Sequence, residues 1–128
     1  MDHDKMTTIF HNPRCSKSRA AVELLQTRGL PFEVVKYLEN PPSEQELGQI
    51  VEMLAIKPEQ LVRKKEKRFA ELQLDGKMTS DQDWLAILAA NPILIERPIV
   101  VHDKRAAIGR PLENISDLLE ASATESRA

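Results

Sequence analysis

The chain has 128 residues, 41% hydrophobic and 30% charged, with a net charge of −2 at neutral pH. That length predicts one domain with a real core, and the charge balance excludes a global electrostatic case for nucleic-acid binding. A single cysteine excludes an intrachain disulfide and predicts a reducing compartment, and no apolar run is long enough to span a bilayer.

The first six residues read as a polar leader, with none of the character of a signal peptide, which predicts a cytosolic (cytoplasmic) location. Thr7-Thr8-Ile9-Phe10-His11 is β-branched and aromatic, a strand pattern that Pro13 stops. From Ser16 to Arg28, apolar residues at Ala21, Leu24 and Leu25 have helical spacing, and Gly29 ends the helix. Residues 32–37 form a second strand, so the first third of the chain is a βαβ unit with parallel strands.

Pro41-Pro42 interrupts the chain, and Ser43 with Glu46 makes a capping box for a helix carrying Leu47, Ile50, Val51 and Leu54 on one face. Residues 58–74 read as short helical pieces. Their basic run (Arg63, Lys64, Lys65, Lys67 and Arg68) is mostly a solvated face. Asp75-Gly76 marks a turn. Thr79 or Ser80 caps a helix over 81–90 whose core residues include Trp84, and Pro92 follows its end. Residues 98–102 and 105–109 form a hairpin around Asp103-Lys104, and a last helix covers 112–120. Pro98 opens its strand, a permitted place for proline; the sequence leaves the Arg97-Pro98 isomer open. Residues 121–128 read as a disordered tail.

This order predicts an α/β fold: a four-stranded mixed sheet with helices on both faces, thioredoxin-like, with a helical insertion between the βαβ and ββα halves. Residues 1–120 make one domain.

Cys15 lies in His11-Asn12-Pro13-Arg14-Cys15-Ser16-Lys17-Ser18-Arg19, between the first strand and first helix. A helix N-terminus offers unpaired N–H groups and partial positive charge. Both favour thiolate over thiol, as do Arg14, Lys17 and Arg19. The competing reading is a buried inert cysteine, which the polar, basic flanks disfavour. His11 allows two roles: an imidazolium beside the sulfur, or a strand-ending residue bonded to backbone. His3 and His102 show no partner spacing, and no cluster has metal-ligand spacing. Arg63, Arg97 and Arg110 fall at element boundaries, and in this fold their guanidinium forks could gather on an oxyanion near Cys15. A phosphatase-type loop needs arginine six positions after its cysteine, but Ala21 is there. A dithiol enzyme needs a second cysteine where Ser18 stands, so any mixed disulfide on Cys15 must be resolved by an external thiol.

His11-Asn12-Pro13-Arg14-Cys15, Tyr37-Leu38-Glu39-Asn40-Pro41-Pro42, Leu61-Val62-Arg63-Lys64, the stretch Asn91 to Val101 and Gly109-Arg110-Pro111 together resemble the glutaredoxin-coupled arsenate reductase (ArsC) family, over about residues 7 to 120. Arg14 and Ser16-Lys17 replace small residues of the plasmid-borne enzymes, which makes the chain similar to a chromosomal, ArsC-like branch. The resemblance implies a thioredoxin-like fold and reduction of arsenate to arsenite with glutathione and glutaredoxin. It implies Cys15 as nucleophile, Arg63, Arg97 and Arg110 as oxyanion ligands, and His11 as a holder of the thiolate. It also implies no bound cofactor, glutathione as co-substrate and a monomer without nucleic-acid or membrane partners. Two other classes share the features: a glutathione-linked thiol oxidoreductase acting on protein mixed disulfides, and a transcription-regulatory binding module like the related Spx branch.

Overall fold

Four short strands pair in the order β2-β1-β3-β4, and this sheet carries the first βα turn in a computed structural model that describes residues 7–74 and 79–127. Strand β1 (Thr7–Phe10) runs parallel to β2 (Phe32–Val35), with Ile9 opposite Val34. Helix α1 (Ser16–Thr27) makes the crossover between them. Strand β3 (Ile99–His102) lies antiparallel to β1, and β4 (Arg105–Ile108) antiparallel to β3. The Asp103-Lys104 turn has φ of 52° and 65° at its two residues, the left-handed pair that matches hairpin twist. Gly29, with φ of 68°, closes α1 in a conformation that costs a residue with a Cβ.

The core of this part follows from strand periodicity. Ile9 and Val100 are register partners, so their side chains share one face of the sheet. Both are fully buried, against Ala21 and Leu25 of α1 and Ile115, Leu118 and Leu119 of helix α5 (Glu113–Arg127). Helix α5 continues past residue 120, where the sequence pattern ends it. The side chains of 121–128, where a disordered tail is expected, lie outside the described residues, as do the leader with His3 and the Asp75-Gly76 turn.

The chain divides into two compact units. The first holds the sheet with α1 and α5; the second is Leu38–Glu96. The second unit is the stretch that the sequence reads as a helical insertion between the βαβ and ββα halves. In the second unit, helix α2 (Glu44–Leu54) begins with the expected capping box: Ser43 Oγ accepts from the Glu46 N–H at 3.1 Å, and Glu46 Oε1 accepts from the Ser43 N–H at 3.2 Å. Helix α3 (Lys67–Glu71) buries Phe69, which stacks on Trp84 of α4 (Asp81–Ala90) at a centroid distance of 6.5 Å. Ser80 Oγ caps α4 by accepting from the Asp83 N–H. Phe69 is thus the one core anchor hidden in the basic run, whose Arg68 is exposed and donates through Nε to Asn91 Oδ1 at 2.8 Å.

Candidate active site

Cys15 is the residue immediately before α1, with extended backbone (φ −95°, ψ 123°), the position that a capping Ser or Asp normally takes. Asn12 builds the turn that puts it there. Its Oδ1 accepts from the Arg14 N–H at 3.0 Å, and its carbonyl accepts from the Cys15 N–H at 2.9 Å. The thiol makes no conventional cap hydrogen bond, so the N–H groups of Lys17 and Ser18 act as dipoles aimed at a charge on sulfur. Cys15 is 7% exposed.

Burial is the largest single influence on the thiol and pushes its pKa up. The Ser18 and Lys17 N–H groups, the charge of Arg97 and the Ser18 hydroxyl together outweigh it and bring the thiol down to about 7. Ser18 is fully buried, and its hydroxyl makes no other hydrogen bond.

Arg97 and Arg110 flank the β3–β4 hairpin in the chain; Arg110 reaches the thiol, and the charge of Arg97 acts on it. Arg110 Nη2 lies 3.5 Å from Cys15 Sγ, and Arg110 Nε donates to the Arg97 carbonyl at 2.7 Å. The peptide bonds Arg97-Pro98 and Arg110-Pro111 are both cis. Gly109 joins these segments: its N–H donates to the Pro98 carbonyl at 2.9 Å. A Cβ on it would stand 2.7 Å from Ile115 Cδ1 and 2.9 Å from Pro98 Cγ, so only glycine allows this approach without displacement. Arg110 is an exposed residue, and a guanidinium beside the sulfur presents the forked donors that match a tetrahedral anion.

His11 is a strand-ending residue. Its main-chain N–H continues the β1–β2 pairing by donating to the Val35 carbonyl at 2.8 Å. Burial, and then the charges of Lys36 and Arg19, lower the imidazole pKa against the opposing Ser18 main chain, so the ring is neutral at pH 7. Its Nδ1 is buried without a hydrogen bond. Arg63 belongs to the second unit, where its guanidinium pairs with Glu66 at 2.7 Å and its main-chain N–H donates to the Leu94 carbonyl. The first unit therefore sets Arg110 against Cys15 and Arg97 against Arg110, while His11 shares the Ser18 main chain with the thiol. Ser18 stands in the sequence where a dithiol enzyme has its second cysteine, and its spacing of three from the helix-capping thiol is the signal that it faces the sulfur. His102, without partner spacing in the sequence, bonds through Nδ1 to Thr7 Oγ1 at 2.7 Å.

Comparison with known proteins matches this architecture. Arsenate reductase of Neisseria meningitidis serogroup B is 48% identical over 112 residues, 87% of this chain and 96% of the relative. Arsenate reductase of Rhizobium meliloti is 38% identical over 112 residues, covering 88% of this chain and 80% of the relative. The solved structure of arsenate reductase from Vibrio cholerae superposes with a TM-score of 0.84 at 40% identity, over 88% of this chain and 97% of that one. The family model described as "ArsC family" matches residues 10–118, a span that contains the thiol turn, both sheet-end arginines and the whole second unit, and the chain belongs to the ArsC family.

Proposed function

We propose that this protein reduces arsenate to arsenite, with glutathione as co-substrate and glutaredoxin as the partner that restores the enzyme. The observation that carries the reading is a guanidinium 3.5 Å from a thiol whose pKa is about 7: a ready nucleophile beside a ligand for its anionic target. Relatives of up to 48% identity that bear the name arsenate reductase support the choice of anion.

In this scheme arsenate binds to Arg97 and Arg110, with Arg63 assigned to the same anion on the family resemblance alone. The Cys15 thiolate attacks the pentavalent arsenic. An S–As bond forms, one As–O bond breaks, and the departing hydroxide takes a proton from solvent and leaves as water. A glutathione thiolate then attacks Cys15 Sγ. The S–As electron pair stays on arsenic, which falls from As(V) to As(III) and departs as arsenite, while the two sulfurs are oxidised to one mixed disulfide. Ser18 stands where a dithiol enzyme keeps its second thiol, so glutaredoxin removes the glutathione by thiol exchange and frees the thiolate. His11 acts as a neutral, buried neighbour of the Ser18 main chain.

The test is arsenate-dependent NADPH oxidation, coupled through glutathione, glutaredoxin and glutathione reductase. Turnover is expected to require both arsenate and Cys15, and to vanish in Cys15→Ser. Full activity of Cys15→Ser, or wild-type protein that alkylates readily and turns over no arsenate, overturns the reading.

A further inference from the structure

Arg110 is an exposed arginine on the connection between β4 and α5, and an arginine there gives up side-chain freedom to hold one geometry. The main chain that carries it must itself be held. Asn114, the second residue of α5, does this: its Nδ2 donates to the Ile108 carbonyl at 3.0 Å and to the Arg110 carbonyl at 3.4 Å. The two acceptors flank Gly109, whose N–H is already tied to the Pro98 carbonyl. An asparagine in a helix's first turn commonly accepts from N–H groups of its own helix. This one turns its amide donor the other way, onto the segment before the helix.

We infer that Asn114 is a positioning residue, whose side-chain amide fixes the Ile108–Arg110 main chain so that the Arg110 guanidinium stands beside the Cys15 sulfur. Without the amide, the Ile108 and Arg110 carbonyls lose this donor, and the 109–111 segment keeps the Gly109 and Arg110 main-chain N–H bonds, the Asn114 N–H bond to the Pro111 carbonyl and the Arg110 Nε bond to the Arg97 carbonyl. Arg110 then samples positions away from Sγ, and the positive charge at the thiol falls although the arginine remains.

Two alkylating reagents read this charge without any use of arsenate. Iodoacetamide is neutral and iodoacetate is an anion; both consume the same thiolate, so the ratio of their rates cancels thiolate fraction and reports the local field. Asn114→Ala is expected to lower the iodoacetate-to-iodoacetamide ratio about threefold at low ionic strength. In an Arg110→Ala background the same substitution is expected to change nothing further, because the charge it positions is gone. A folded Asn114→Ala with an unchanged ratio, or an equal fall in both backgrounds, overturns the inference. Should Asn114→Ala fail to fold, Asn114→Ser carries the same test, since its hydroxyl is too short to span both carbonyls. The inference stands if the arsenate assignment fails, because neither reagent depends on it.

Discussion

A thiol with a pKa of about 7 is half ionised at pH 7, where a free cysteine at about 8.5 is about 3% thiolate. The gain in thiolate is therefore about 15-fold. Nucleophilicity falls with basicity, with a Brønsted coefficient of about 0.4–0.5, which returns about fivefold of that gain. Iodoacetamide should thus react with Cys15 only about threefold faster than with a free thiol at pH 7, and the diagnostic is the midpoint of the pH–rate curve. The same shift is a statement about stability. The folded value lies below the unfolded one, so the contribution is complete above about pH 8.5 and is lost as pH falls through about 7. A difference of about 1.5 pH units corresponds to on the order of 2 kcal/mol for a side chain this buried. Urea unfolding of wild type and Cys15→Ser at pH 6 and pH 9 should show wild type gaining up to about 2 kcal/mol relative to the variant at the higher pH. An alkylation midpoint at 8.5 or above, or a stability difference flat between the two pH values, refutes the reading of the helix-capping thiolate.

Arg97→Ala and Arg110→Ala each remove charge-assisted hydrogen bonds worth about 1.5–3 kcal/mol, so arsenate KM should rise about 10- to 100-fold, with Tm lowered by only a few degrees. Unchanged KM removes the residue from the site. Because Arg97 also lowers the thiol pKa, Arg97→Ala should move the alkylation midpoint upward, which a purely anion-binding arginine would not do. Gly109→Ala drives a Cβ to 2.7 Å from Ile115 Cδ1 and should cost about 1–3 kcal/mol in urea unfolding, partly restored by Ile115→Val; wild-type stability in the single variant contradicts the packing. Thr7→Val breaks the hydrogen bond to His102 Nδ1 at a cost of about 1 kcal/mol. Burial lowers the His102 pKa despite Asp103, so its contribution is intact above about pH 6.5 and lost as pH falls below it; His102→Gln should flatten that part of the acid limb in a Tm-versus-pH series.

The elements most visible in the sequence are those whose signals are local. The Ser43–Glu46 box, the Ser80 cap, Gly29 and the Asp103-Lys104 turn each depend on a few adjacent residues, and all four stand where their chemistry predicts. The position of Cys15 is local in the same sense: a proline-bearing turn between a β-branched run and a helical period puts a thiol over the first N–H groups of a helix, and Lys17 and Ser18 supply them. The pairing of Thr7 with His102 joins residues 95 apart, and no spacing rule links them.

What tertiary structure alone decided is the sign of the charges around that thiol. His11 reads equally well in the sequence as an imidazolium or as a strand-ending residue, and its burial in the fold lowers its pKa and so disfavours the imidazolium. Arg110 reads as one of several boundary arginines. The antiparallel return of β3 and β4 carries it across 95 residues of chain to the sulfur, and Gly109 and Asn114 hold it there. The sequence by itself determined the place of the thiol before the first helix and the sheet-and-helix framework, because local hydrogen bonding and side-chain periodicity are properties of neighbouring residues. Desolvation and long-range guanidinium placement exist only once the sheet has closed: the first opposes the charge on the thiol, and the second decides which cations stand against that penalty.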